Sequence, residues 1–221
     1  MGAGHQNDIY RDKRERMANR LQEEFNLSSD VFEALRRVPR HEFVPYEQQN
    51  EAYSDVPLPI GEGQTISAPH MVAIMCNLLD LRKGDKILEV GGGRGYHAAV
   101  AAEIVGKEGK VIVMEIKSEL ARRSEETLNE LGYDNVRVIT GDGSKGYQPE
   151  APFDKIYVTA SAPELPRPLI EQLRPGGKMV IPIGEYMQYL YVVEKDEQGN
   201  INKRSWGGVR FVPLVGEHGV K

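Results

Sequence analysis

From residue 83 onward the chain alternates short apolar runs with stretches of helical periodicity, and this alternation restricts the possible folds more than any other feature. Residues 86–90 read as a buried strand, 96–105 as an alanine-rich helix, 110–116 as a strand, 118–131 as a charged amphipathic helix and 136–140 as a third strand. Strand then helix, repeated, predicts a parallel sheet wrapped by helices on both faces. A Gly- and Pro-containing loop leads to a strand over 154–160, a short helix near 167–173 and a strand over 178–183. The rhythm then changes. Residues 187–195 and roughly 201–215 read as two β runs joined around Gly199 and Asn200, so the sheet is expected to finish antiparallel. The fold class is α/β, doubly wound and mostly parallel, with antiparallel C-terminal strands and an N-terminal helical extension.

The first 60 residues have a different texture. Ile9, Met17, Leu21 and Phe25 fall at mostly helical spacing among charges, and Asp30 to Glu33 has capping-box spacing ahead of Val31, Phe32, Leu35 and Val38. Two short helices are expected there. Pro39, Pro45, Pro57 and Pro59 make 38–63 an extended loop. Ser67 then reads as the N-cap of a buried helix over 68–80, with Pro69 in its first turn. The organisation follows: residues 1–62 as a helical extension and loop packed on the core, and 63–221 as the core with a C-terminal β segment, the two forming one structural unit.

Composition excludes several function classes. The 28 Lys plus Arg against 33 Asp plus Glu leave a net charge of -5, without the general field of a nucleic-acid or anionic-membrane binder. Cys76 is the single cysteine, so no internal disulfide and no cysteine zinc site can form. No apolar run approaches the ~18 residues of a spanning helix, and the charged N-terminus is unlike a signal peptide. The expectation is a cytoplasmic, monomeric protein with no metal, no nucleic acid and no membrane among its partners.

The segment from Glu89 to Tyr96, GluValGlyGlyGlyArgGlyTyr, lies between a strand and a helix. Its glycines let the backbone bend and approach a ligand, while free amides at the helix start offer hydrogen bonds. Such loops hold dinucleotides or the methyl donor S-adenosylmethionine. Gly93, Gly95 and Ala98 satisfy G-x-G-x-x-G/A, and Glu115 stands where a ribose-binding acid should, which keeps an NAD-dependent oxidoreductase open. Against it, Glu89 beside the loop would repel a pyrophosphate yet welcome an ammonium group. Three successive strands end in Glu89, Glu115 and Asp142, a ring that suits a cationic, hydroxyl-rich ligand at the carboxyl edge of the sheet.

Several further segments resemble the protein-L-isoaspartate O-methyltransferases, within the Rossmann-like class I S-adenosylmethionine-dependent methyltransferases. They are ValProArgHisGluPheValPro (38–45), GlyGlnThrIleSerAlaProHisMet (63–71), the glycine loop, PheAspLysIleTyrValThrAlaSer (153–161), LeuArgProGlyGlyLysMetValIlePro (173–182) and ValArgPheValProLeuValGly (209–216). The resemblance implies methyl transfer from S-adenosylmethionine to the α-carboxylate of L-isoaspartyl residues in damaged proteins and peptides. S-adenosylhomocysteine is the product, and repair proceeds through a succinimide. It further implies that Gly91, Gly93 and Gly95 shape the donor pocket, with Glu115 on the ribose and Asp142 with Gly143 facing the adenine. Ser67 aligns with the family's active-site serine, and Thr65, Ile66 and the strand from Val212 through Pro213 to Leu214 would line the isoaspartyl cleft. The family's loop commonly reads Gly-Thr-Gly-Ser-Gly, whereas Gly92 and Arg94 stand here; a guanidinium beside a sulfonium is tolerable only if it points outward or pairs with a carboxylate.

The chemistry needs little machinery. A carboxylate with a pKa near ~4 is already ionised at neutral pH and requires no general base. Ser67 is expected to hydrogen-bond it and hold one oxygen on the methyl axis, unless its hydroxyl serves only the helix N-terminus. His70, within one helical turn of Ser67, is expected either to touch the donor or to be a satisfied histidine on the helix face. An edge strand over 209–214 could pair with the peptide by β-augmentation. A methyltransferase for another acceptor and a non-catalytic donor-binding module remain alternative readings.

Overall fold

A computed structural model describes residues 3–220 of the chain; residues 1, 2 and 221, at the ends of the expected organisation, lie outside it. Two helices open it, α1 (Ala3–Phe25) and α2 (Ser29–Arg37). Ser28, not Asp30, caps α2. Its extended backbone lets the hydroxyl accept from the Val31 amide at 3.4 Å, while Asp30 sits inside the first turn, where an acid favours the helix dipole. Residues 38–63 are more ordered than four prolines suggest. They form 3-10 turns at Arg40–Phe43 and Tyr46–Glu51 and a strand, β1 (Leu58–Gly61), which pairs antiparallel with β2 (Gln64–Ile66). Glu62 and Gly63 reverse the chain with positive φ, so this hairpin straddles the division expected at residue 62.

Helix α3 (Pro69–Leu79) leads into the main sheet, whose strands are β3 (Lys86–Val90), β4 (Lys110–Glu115), β5 (Val136–Thr140), β6 (Phe153–Val158), β7 (Leu173–Ile183), β8 (Gln188–Lys195) and β9 (Ile201–Val209). Helices α4 (Tyr96–Val105), α5 (Ser118–Glu130) and α6 (Arg167–Gln172) make the crossovers. The order is β5-β4-β3-β6-β7-β8-β9, parallel through β7 and antiparallel beyond it. Two apolar clusters cover the two faces. The larger joins Met17, Leu21, Leu35 and Phe43 of the first 60 residues to Val72, Met75, Ala99 and Val111, so the extension and the sheet share one core. The smaller gathers Leu88, Ile112, Ile156, Leu169 and Met179 on the other face.

The last strand is shorter than the sequence pattern suggests: β9 stops at Val209 rather than 215. The Gln188 side chain takes both backbone groups of Phe211, accepting from its amide at 2.6 Å and donating to its carbonyl at 3.1 Å. Pro213 has no amide to offer a neighbouring strand. The chain instead crosses to the end of β6, where the Ser161 amide donates to Val212 and the Leu214 amide to Ser161. Residues 210–214 are therefore a connector and not the edge strand expected from their sequence.

Candidate active site

The strand order reverses between β3 and β6, and in open α/β sheets ligands bind at such a switch point, at the carboxyl ends of the strands. A cleft enclosing about 860 Å³, open mouth included, lies there. Its floor is the glycine loop. Gly91 (φ +92°) carries a conformation costly for other residues, and a Cβ there would come 2.6 Å from Thr159 Oγ1 at the tip of β6. Gly95 (φ +92°) begins α4, where a Cβ would strike Ser124 of α5.

Glu89 and Glu115 both face the cleft. Glu89 is 1 % exposed and neither carboxylate oxygen has a hydrogen-bond partner. Burial pushes its pKa well above the usual carboxylate range; the nearby Tyr157 hydroxyl opposes this but makes no bond of ordinary geometry. Glu115 is clamped, accepting from the Gly93 amide at 2.7 Å and the Lys117 amide at 2.9 Å. Its pKa is raised by burial, with these amides pulling the other way. The Gly93 amide is thus engaged by an anion already and is not free for a pyrophosphate.

Asp142, the third expected acid, behaves differently. Its carboxylate accepts from the Ser144 amide and hydroxyl and from the Glu217 amide, tying the C-terminal turn to the end of β5. Burial raises its pKa, but those hydrogen bonds prevail and hold it low. Of this pair only Gly143 reaches the cleft wall. His70 also stands away. Its backbone amide and Nδ1 lie 2.9 and 3.0 Å from Asp55 Oδ1, and its ring stacks near Phe25. Ser67 precedes α3 in extended chain while His70 lies in its first turn, so helical spacing does not bring the two together, and His70 is not part of the cleft wall.

Thr65, Ile66 and Ser67 line the cleft, as do Val212, Pro213 and Leu214. Ser67 is not the helix cap. Ala68 occupies that position with extended backbone and no side-chain cap bond, and Pro69 at the first helical position removes one of the amides a cap would serve. Among the described residues the Ser67 hydroxyl has no hydrogen-bond partner, while its carbonyl accepts from Arg40 Nη2 at 2.7 Å. Arg94, the oddity of the loop, belongs to the cleft wall and is tied back from it: its Nε donates to the Ile60 carbonyl of β1 at 3.1 Å, fastening the hairpin to the glycine loop.

Residues that sequence reasoning passed over complete the wall. His97 and Tyr96 of α4 line it, with the His97 ring stacked 4.1 Å from Tyr157 and Nε2 3.3 Å from Cys76 Sγ. Burial lowers His97 to about 3 and raises the Cys76 thiol, so both are neutral. Ile60 and Gln64 come from the hairpin. The Gly61 to Gly63 turn was the available signal for it, obscured by the prolines around it.

The acidic groups of the cleft, Glu89 and Glu115, can therefore take an ammonium group and hydroxyls. The unpartnered oxygens of Glu89 in particular fit the methionine portion of a methyl donor. Comparison with known proteins agrees. The family model for protein-L-isoaspartate(D-aspartate) O-methyltransferase matches residues 11–219. Protein-L-isoaspartate O-methyltransferase 2 of Archaeoglobus fulgidus is 68 % identical over 212 residues, covering 96 % of this chain and 97 % of its own. The Methanopyrus kandleri protein-L-isoaspartate O-methyltransferase is 57 % identical over 214 residues, 96 % and 95 % of the two chains. A solved protein-L-isoaspartate O-methyltransferase superposes with TM-score 0.87 at 29 % identity, covering 93 % of this chain and 67 % of that one. A Plasmodium falciparum structure described as a protein-L-isoaspartate O-methyltransferase, in complex with S-adenosyl-L-homocysteine, gives TM-score 0.81 at 31 % identity over 91 % and 98 % of the chains.

Proposed function

The chain belongs to the protein-L-isoaspartate(D-aspartate) O-methyltransferase family, and on that footing we propose how its cleft works. The enzyme moves a methyl group from S-adenosyl-L-methionine to the α-carboxylate of L-isoaspartyl residues in damaged proteins and peptides, beginning repair through a succinimide. S-adenosylmethionine supplies a methyl group already activated by its sulfonium, so the protein need only bind, dry and align the two partners.

Glu89 receives the donor's ammonium, which would give its two solitary oxygens the partners they lack. Glu115 keeps its amide bonds and offers its remaining lone pairs to the ribose hydroxyls. Gly91, Gly93 and Gly95 shape the donor pocket. Asp142 acts on the adenine only indirectly, by shaping the turn that carries Gly143. No donor role is proposed for His70. At the acceptor end Thr65, Ile66, Val212, Pro213 and Leu214 flank the substrate chain, and the Ser67 hydroxyl donates to one carboxylate oxygen and sets its direction of approach.

The observation that supports these roles best is Ser67 itself: a residue of the cleft wall whose side chain is not spent on capping the helix it precedes. A radiolabelled methyl-transfer assay with matched isoaspartyl and aspartyl peptides tests the reading. Label should enter only the isoaspartyl peptide, and equal labelling of both would overturn it.

We read the chain as a monomer acting in the cytoplasm without nucleic-acid or membrane partners. The net charge of -5 supports the second point, and among the described residues no helix is long and apolar enough to cross a membrane. The apolar cluster common to the extension and the sheet supports their folding as one unit.

A further inference from the structure

The acceptor end of the cleft must admit an anion although Glu89 and Glu115 both belong to the cleft wall. A compensating charge lies just behind that wall. Arg40 is 0 % exposed, in the 3-10 turn after α2. Its Nε donates to the Ala52 carbonyl at 2.8 Å and its Nη2 to the Ser67 carbonyl at 2.7 Å, while Nη1 has no partner. The guanidinium lies 4.6 Å from the ring centre of Tyr96, itself part of the cleft wall.

Among the described residues no carboxylate pairs with Arg40. Asp55 is near enough to stabilise its charge, but Asp55 Oδ1 is engaged by His70. Tyr53 and Tyr96 are the other titratable groups around it. Burial lowers its pKa to about 10, which leaves it charged at neutral pH. A buried cation without an anion is expensive, and two carbonyls alone do not call for a charge, since a neutral donor would satisfy them. Its proximity to the Ser67 peptide supplies a reason for the charge.

We propose that Arg40 is the fixed counter-charge and positioning residue for the substrate carboxylate, holding the Ser67 peptide in place and biasing that end of the cleft towards an anionic acceptor. The inference rests on the isoaspartyl reading. Esterification neutralises the acceptor, so the same charge favours entry of the substrate and ceases to hold the product. In a site shielded from water such a field is screened far less than on the surface.

The test uses the full-length enzyme saturated with S-adenosylhomocysteine, which removes the sulfonium charge, and two peptides: one isoaspartyl, one with its α-carboxylate replaced by a carboxamide. In the wild type the anionic peptide should bind at least about tenfold tighter; no preference would overturn the proposal without any variant. Arg40→Gln should abolish most of that preference while leaving S-adenosylhomocysteine affinity unchanged, and Arg40→Lys should retain most of it. Equal weakening of both peptides in Arg40→Gln would reduce Arg40 to scaffold and also overturn the proposal. If Arg40→Gln does not fold, the wild-type ratio and Arg40→Lys decide. Failure of the wild type to methylate the isoaspartyl peptide at all would mark the functional reading, not this inference, as wrong.

Discussion

The two ends of the cleft are built on opposite plans. The end proposed for the donor is made from consecutive strand tips, with Glu89, the glycines and Glu115 within one β-α-β unit, and its side chains are acidic. The end proposed for the acceptor joins two segments remote in sequence, 65–67 and 212–214, and the cation Arg40 bonds the Ser67 carbonyl behind it. One end is held by the sheet's own hydrogen bonds; the other depends on side-chain clamps, Arg40 on Ser67 and Gln188 on Phe211. The contrast matches the proposed ligands, a cationic donor and an anionic acceptor, each of which requires an environment of opposite sign.

Four substitutions would separate the ends, taken from the largest expected effect down. Gly91→Val places a branched side chain against Thr159 at positive φ, a strain of about 1–3 kcal/mol before any clash is counted. Calorimetry should find S-adenosylhomocysteine binding lost, and retained affinity would show that the loop yields easily. Ser67→Ala should lower kcat by about a hundredfold, the scale seen when one aligning donor is removed. Because Ser67 caps nothing, the melting temperature should not move, and a matching fall in stability would return it to a structural role.

Glu89→Gln should weaken donor binding about tenfold and leave peptide KM alone, since an ammonium loses its carboxylate partner. Its pH signature is specific. A carboxyl whose folded pKa is raised contributes stability below its unfolded value, near 4.5, and loses it as pH climbs towards the folded pKa. Without donor, the wild type should therefore become less stable relative to Glu89→Gln as pH rises above about 5, as followed by thermal melts; parallel pH curves would contradict the buried, unpartnered carboxyl. Gln188→Ala frees the Phe211 backbone at a net loss of about 1 kcal/mol per hydrogen bond. Peptide KM should rise several-fold with donor affinity intact, and an effect on donor affinity instead would mean that the two ends are coupled.

The donor end was the legible one. Strand and helix periods locate β3 to β6 within two residues, and the glycine loop falls where they leave it. Misreadings concentrate at the acceptor end and in the segments that support it. Proline content hid the β1–β2 hairpin. A serine ahead of an apolar helical run reads as its cap, but the helix starts two residues later. The β pattern of 210–215 survives as a connector because a glutamine from another strand occupies its backbone groups. Asp142 and His70 carry the right chemistry, but Ser144, Glu217 and Asp55 use it elsewhere. Arg40, read only as part of a motif, gave no sign of being buried.

Local rules thus settled the parallel sheet, its antiparallel end and the acidic tips of β3 and β4, because hydrophobic period, turn chemistry and strand-tip residues are properties of neighbours in the chain. Which hydroxyl stays free, which carboxylate stays solitary and where an unpaired guanidinium comes to rest are decided by residues tens of positions away. Those depend on how much water and how many partners packing leaves each group, and only the folded chain fixes them.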